Sequence, residues 1–217
     1  MKIFAVLALC FCLFAVARAQ TFYGTTDLKV FREGRDKEFR SRTESPLKDE
    51  DFAGFKGLNY YATSDAFRVT ATLKRTDGAK TFRMPTSSGA TKKLVKYGIL
   101  TFKLNGKLTM LSVYQSDAET RKKFPEYAHL LFIPFKDATN RTDTYGGGRY
   151  IDIVTPKDDK VILDFNLAYN PNCAYGSDKY SCPIPPRENR LRVAIRAGEK
   201  RYAYAGARKR LTEFLRK

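Results

Sequence analysis

Asn105-Gly106, set between two strand-forming runs, constrains this chain more than any other pair of residues in it. An Asn-Gly pair accepts the positive φ angles that a two-residue hairpin turn demands, so it fixes a hairpin over Lys96–Gln115. With Leu104 opposite Lys107, Leu100 falls opposite Leu111 and Gly98 opposite Val113. Tyr97, Ile99, Met110 and Tyr114 then share the other face. Both faces are substantially apolar, which predicts a hairpin in the middle of a sheet. Nothing in it suggests catalysis.

The other segments extend the same theme. Ala66–Arg75 and Lys80–Met84 flank the turn Thr76-Asp77-Gly78, and His129–Phe135 reads as a buried strand. Arg149–Thr155 and Val161–Tyr169 read as a second strand pair, and Leu191–Arg196 as a last strand. Ahead of them, Thr26–Arg42 carries Leu28, Phe31, Arg35 and Phe39 near helical spacing, with Thr26 or Asp27 able to cap it. Ser45–Phe55 is expected to be a lead-in loop holding at most one helical turn. The expected fold is mainly β, with α+β at the margin. It is an antiparallel barrel or sandwich of about eight strands, with an N-terminal helix and a short basic helix at the C-terminus.

The termini define the compartment. Lys2, the apolar run Ile3–Val16 and Ala17-Arg18-Ala19 have the order of a secretory signal peptide over residues 1–19. The run is short for a membrane span of about 20 residues, and no second one follows, so the expected product is soluble and extracellular, or periplasmic in a bacterium. Residues 20–200 are expected to form one β-rich domain with a helical arm, and residues 201–217 a basic tail. The formal net charge is +17 at pH 7, of which Lys2 and Arg18 leave with the leader. Such a charge attracts acidic partners without specifying a fold.

Cys173 and Cys182 are the cysteines left after processing. In an oxidising compartment such a pair most simply forms a disulfide. Two thiols with no histidine nearby do not fill a tetrahedral metal shell, so no metal site is expected. Asn140-Arg141-Thr142 is an N-glycosylation sequon.

Chemistry-bearing residues gather between Asp137 and Glu199. If Arg149–Thr155 and Val161–Tyr169 form a hairpin with apolar sides matched, Tyr150 lies across from Asp164, with Asp152 diagonal to it and Asn166 on the same face. Neighbouring carboxylates split their pKa values and can divide acid and base roles, which makes Asp164, Asp137 and Asp152 catalytic candidates. The other reading of that face is the solvated side of an antiparallel sheet. Gly146-Gly147-Gly148 followed by Arg149 offers backbone N–H groups and a guanidinium fork to an anion. It is not a nucleotide-phosphate loop, since no Gly-Lys-Ser/Thr follows. His129 stands alone, with no serine elbow or free thiol for a nucleophilic mechanism. Asn170–Pro186 reads as a stiff loop, closed by the cysteines and extended by prolines.

Several ordered blocks resemble one family. They are Phe135-Lys136-Asp137-Ala138-Thr139, Thr144-Tyr145-Gly146-Gly147-Gly148-Arg149-Tyr150, the run Asp164-Phe165-Asn166-Leu167-Ala168-Tyr169-Asn170-Pro171, and Cys173-Ala174-Tyr175. Cys182-Pro183-Ile184-Pro185-Pro186-Arg187-Glu188-Asn189 and Ala197-Gly198-Glu199-Lys200 complete the set, with Ser45-Pro46-Leu47 and Phe55-Lys56-Gly57-Leu58 upstream. Together they are similar to the signature of the domain of unknown function 1684 family, which is mostly bacterial and has no assigned activity. The resemblance spans roughly Phe31 to Lys200 and leaves out the basic tail, so the charge is not a family trait. It implies as candidates the polar motif positions Asp137, Arg149, Tyr150, Asp164, Asn166, Tyr169, Asn170, Asn189 and Glu199.

The functional expectation is a secreted protein that binds a small polar or anionic ligand near the Gly146–Arg149 loop. Arg149, Tyr150, Asn166, Tyr169 and Asn170 are its expected ligand contacts. One alternative is a carboxylate-dependent, hydrolase-like enzyme using Asp164. Another is attachment to a polyanion through the tail, for which an acidic glycan or cell surface suits an exported protein better than nucleic acid. No motif names a cofactor.

Overall fold

The computed structural model describes residues 22–177 and 179–202, so the expected leader and nearly all of the basic tail lie outside the described residues. Among the described residues three α-helices, α1 (Leu28–Arg40), α2 (Asp49–Phe52) and α3 (Ala118–Lys123), accompany seven strands. These are β1 (Arg68–Arg75), β2 (Thr81–Pro85), β3 (Thr91–Leu104), β4 (Lys107–Ser116), β5 (Leu130–Phe135), β6 (Arg149–Val154) and β7 (Lys160–Asp164). They form one curled, antiparallel half-barrel in the order β6-β5-β4-β3-β1-β7, with β2 also paired to β3. The mainly β expectation holds. None of the helices among the described residues is long and apolar enough to cross a membrane.

The Asn105-Gly106 hairpin forms in the register its turn dictates: Leu104 opposes Lys107, Leu100 opposes Leu111 and Gly98 opposes Val113. A bulge between Lys96 and Gly98 takes Tyr97 out of the ladder. β3 and β4 are central, as two apolar faces require. Leu100, Phe102, Leu111 and Val113 enter the main core. Tyr114 packs with Met84 and Leu94 in a second cluster.

Three sequence expectations fail, for identifiable reasons. The strand expected over Val161–Tyr169 stops at Asp164, because that carboxylate caps a 3₁₀ turn over Phe165–Leu167. β6 does not pair with β7. Its partner is β5, with Leu131 opposite Ile153 and Ile133 opposite Ile151, while β7 pairs with β1. Matching apolar faces is a degenerate criterion, because β5 and β1 present suitable faces as well. Tyr150 therefore lies opposite Pro134 rather than Asp164. Leu191–Arg196 is also not a strand: its backbone is irregular, bonded to the Lys136 and Ala138 backbone at Leu191 and Val193 and to the Arg149 and Asp137 side chains at Ile195.

A similar substitution of side chain for ladder occurs between β4 and β5, which pair only at Tyr114 and Phe132. Pro134 has no N–H to offer its neighbour. The buried Asn189 amide fills the gap. Its Oδ1 accepts from Ser112 N at 2.7 Å, and its Nδ2 donates to Ser112 O at 2.8 Å and Pro134 O at 2.7 Å.

Helix α1 starts at Asp27, whose carboxylate accepts from the N–H groups of Lys29 and Val30. Phe31, Arg35 and Phe39 form its buried face. Gly34 costs about 1 kcal/mol of helix propensity relative to alanine. Its reason is contact, since a Cβ there would sit 2.4 Å from the Phe22 ring. The N-terminal segment thus lies flat on the helix.

Candidate functional site

The polar motif residues separate into buried struts and a cavity wall. Arg149 is a strut. Its guanidinium is fully buried, pairs with Asp137 at 2.9 Å, and donates to the carbonyls of Ile195, Ala197 and Glu199. Asp137 also accepts from the Thr139 N–H and hydroxyl and from Ile195 N. Arg149 therefore faces the protein's own carbonyls, and Asp137 is committed to the same junction. The glycine loop likewise approaches protein: Gly148, at φ +103°, would place a Cβ 2.7 Å from the Phe135 carbonyl oxygen.

A second strut centres on Arg35, whose spacing in the sequence marks it only as a helix-face residue. Its guanidinium is fully buried and lies 3.2 Å from Glu38 and 3.5 Å from Glu199. It also donates to Tyr23 Oη at 3.0 Å and to the Asn170 carbonyl and Tyr175 Oη at 3.4 Å. Burial alone would depress this guanidinium, but Tyr23, Tyr175, Glu199 and Glu38 reverse that and hold it protonated. Glu199 accepts from Asn170 N and Nδ2 and from the Tyr175 hydroxyl. Burial still pushes its carboxyl upward against those partners. Asn170 is thus a structural bridge.

Asp164 and Asn166 make a third, smaller junction. Asp164 accepts from Asn166 N and Nδ2, faces Arg68 at 3.6 Å, and caps the short turn that follows β7. Asn166 Nδ2 donates to Ser64 O. Asp164 and Asp152 do share a cleft of about 470 Å³ at the seam between the unpaired edges of β6 and β7. The sequon residue Asn140 uses its amide inside its loop, donating to Thr144 Oγ1 and Tyr145 O. His129 is exposed. Cys173 and Cys182 are joined as a disulfide, with Cα atoms 6.2 Å apart. Among the described residues there is no His/Cys/Asp/Glu group able to hold a metal ion.

The cavity lies on the other face of β5 and β6, under the N-terminal segment and the disulfide loop. It measures about 400 Å³, and its walls include Tyr23, Phe132, Tyr150, Tyr169 and Pro183, with Lys92 at its side. An adjoining cavity of about 320 Å³ shares Tyr23, Lys92, Tyr150 and Tyr169 and runs on toward Cys182. The rings brace one another edge to face: Phe132 and Tyr150 centroids are 4.7 Å apart, and those of Tyr150 and Tyr169 5.8 Å. The Tyr150 hydroxyl donates to Pro183 O, fixing its ring to the proline-rich loop. The Tyr169 ring has the Arg35 guanidinium 5.1 Å from its centroid.

Two acids line the cavity: Glu38, already engaged by Arg35 and the Tyr23 hydroxyl, and Asp152. The Asp152 carboxylate accepts from the Tyr169 hydroxyl, and burial pushes its pKa up to about 6 despite that hydrogen bond and the Arg35 charge. Burial also lowers Lys92 and raises the Tyr169 phenol. The arrangement offers ring faces to a flat or apolar body, a carboxyl to a hydrogen-bond donor, and an amine near the entrance. Pockets of this kind, mostly apolar with a few convergent polar groups of shifted pKa, are where small ligands bind. Tyr150, Tyr169 and Asp152 were legible as candidates. Tyr23, Lys92 and Phe132 were not, for each comes from a different segment and belongs to no motif, and Pro183 sits in a motif block but offers no side-chain polar group to single it out.

The Asp152 carboxyl carries a stability prediction. It holds its proton more tightly folded than unfolded. Its contribution to stability is therefore complete below about pH 4 and lost as pH rises through about 6. Asp152→Asn removes that loss while leaving Tyr169 an acceptor. At pH 7.5 the variant is expected to be more stable than wild type by up to about 3 kcal/mol, with no advantage at pH 4. Urea denaturation at the two pH values measures the difference, and an equal effect at both would refute it.

A family model described as "Protein of unknown function (DUF1684)" matches residues 53–200. The chain belongs to the DUF1684 family. Tyr150, Asp152, Tyr169 and the Arg149–Asp137 junction lie inside the matched span; Tyr23, Arg35 and Glu38 precede it. The solution NMR structure of an uncharacterized protein from Haloarcula marismortui is similar to this DUF1684 chain at 35% identity, with a TM-score of 0.62. That match covers 80% of this chain and 91% of the other. No curated protein matches.

Proposed function

We propose that this DUF1684 protein is an exported binding domain for a small polar ligand, seated between Tyr23, Phe132, Tyr150 and Tyr169 with Asp152 as its polar anchor. The observation that carries this reading is the Asp152 carboxyl, held by the Tyr169 hydroxyl inside an aromatic-walled cavity with one donor and no ion pair. Carboxyls placed that way are costly to the fold, and a ligand that donates to one relieves the cost. The ligand class is a small molecule with a flat or apolar body and an N–H or O–H donor. Export rests on the leader at residues 1–19, and an intact mass beginning at Gln20 in the exported fraction checks it.

Thermal-shift screening of amines, polyols and heteroaromatic amides tests the ligand at pH 7.5. Compounds that stabilise wild type are expected to lose at least tenfold in apparent affinity against Asp152→Asn. Hits that stabilise both proteins equally, or a screen in which nothing stabilises wild type, would sink the reading.

A further inference from the structure

We propose a second site, separate from the aromatic cavity: an anion-binding cleft on the outside of the glycine loop that takes a tetrahedral oxyanion, phosphate or sulfate, free or as a monoester. The cleft measures about 520 Å³ and lies between the loop after β5 and the irregular segment that begins at Arg190. Lys136, Arg141, Arg190 and Arg192 line it.

Three structural facts bring these cations together. Lys136 and Arg190 are bridged backbone to backbone, with Lys136 N donating to Asn189 O at 2.9 Å and Leu191 N to Lys136 O at 2.7 Å. Arg141 occupies a left-handed backbone position at φ 75°, which is strained for a residue with a side chain. Gly146 leaves room beside it, since a Cβ there would lie 3.0 Å from Arg141 Cγ.

The cleft's positive charge is not neutralised from within. Asp137 is the one acid on its wall, and its carboxylate is consumed by Arg149, Thr139 and Ile195 N. The ion pairs found among the described residues involve none of the four cations. Lys136 Nζ reaches only the Gly146 carbonyl, at 3.4 Å. Its pKa is lowered, first by burial and then by Arg190 and Arg141, as expected of a like-charge cluster. Guanidinium forks of this kind match oxyanions bidentately, and the chain holds the cluster together at an electrostatic cost that an anion would remove.

The test is thermal unfolding of wild type and of the double variant Arg190→Gln/Arg192→Gln. Both are measured in sodium chloride, sodium sulfate and sodium phosphate at matched ionic strength, with a sulfated disaccharide and a sugar phosphate as further arms. Both arginine side chains are exposed, so the variant is expected to fold. Sulfate or phosphate should raise the wild-type midpoint saturably, beyond chloride, with at least tenfold weaker apparent binding to the variant. In chloride alone the variant should melt at or above wild type, because repulsion has been relieved. Preference for the sulfated disaccharide or the sugar phosphate over its inorganic ion identifies the source of the group. Equal stabilisation by chloride, or an unchanged sulfate response in the variant, would overturn the site. So would a variant that melts well below wild type in chloride.

Discussion

Arg149→Ala is expected to destabilise the domain by about 3–5 kcal/mol, the range for removing one partner of a buried ion pair. The loss has two sources. Asp137 would remain buried without its guanidinium, and the carbonyls of Ile195, Ala197 and Glu199 would lose donors from a residue with no exposed surface. Arg149→Lys should recover only part of the loss, since one ammonium cannot replace a fork aimed at several acceptors. The denaturation midpoint measures both effects. A cost below about 1 kcal/mol, the worth of a surface pair, would show that Arg149 is not a strut.

The second large effect is expected at Arg35. Arg35→Met keeps the apolar bulk over Phe39 and Tyr169 but leaves the Glu199 carboxyl buried without its cation. A loss of about 3–5 kcal/mol is expected near neutral pH. The pH dependence distinguishes this cause from simple loss of packing. Burial already raises the Glu199 carboxyl, and without Arg35 it rises further. The variant's deficit should therefore shrink as pH falls and Glu199 takes up its proton. Pairing Arg35→Met with Glu199→Gln should cost less than the sum of the two, because no buried charge is then stranded. A deficit independent of pH, with strictly additive losses, would contradict the assignment.

The parts of this fold that were legible depend on local rules. Asn105-Gly106 sets a register by turn geometry alone, and the 31, 35, 39 spacing sets a helix face. The two cysteines pair across a short loop. Strand partnership was not legible for β6, because Ile151 and Ile153 are acceptable neighbours for either β5 or β7 and only the whole sheet decides. Leu191–Arg196 has a strand-like composition, yet its Ile195 carbonyl goes to Arg149, an outcome that depends on a residue more than forty positions away. The polar motif positions were ambiguous for a deeper reason. Buried struts and ligand sites draw on the same residue types, and what separates them is that Arg149, Asn170, Asn189 and Glu199 face the protein's own polar groups while Tyr150, Asp152 and Tyr169 also line a cavity. The cationic cleft was foreshadowed by the glycine loop, but its arginines lie outside that motif.

The Arg35 junction bears on the order in which the chain can mature. Arg35 sits near the start of the described domain, while its partner Tyr175 follows 140 positions later and Glu199 lies later still. A chain made from its N-terminus can pair Arg35 with Tyr23 and Glu38 at once, but it lacks Asn170, Tyr175 and Glu199 until almost every later residue has emerged. Contacts so distant in sequence form late, since loop closure must be met before they reward it. The half-barrel can assemble around its central hairpin meanwhile. A product truncated short of Glu199 is therefore expected to keep the Phe31 and Phe39 contacts of the helix but to leave Arg35 without its buried carboxylate.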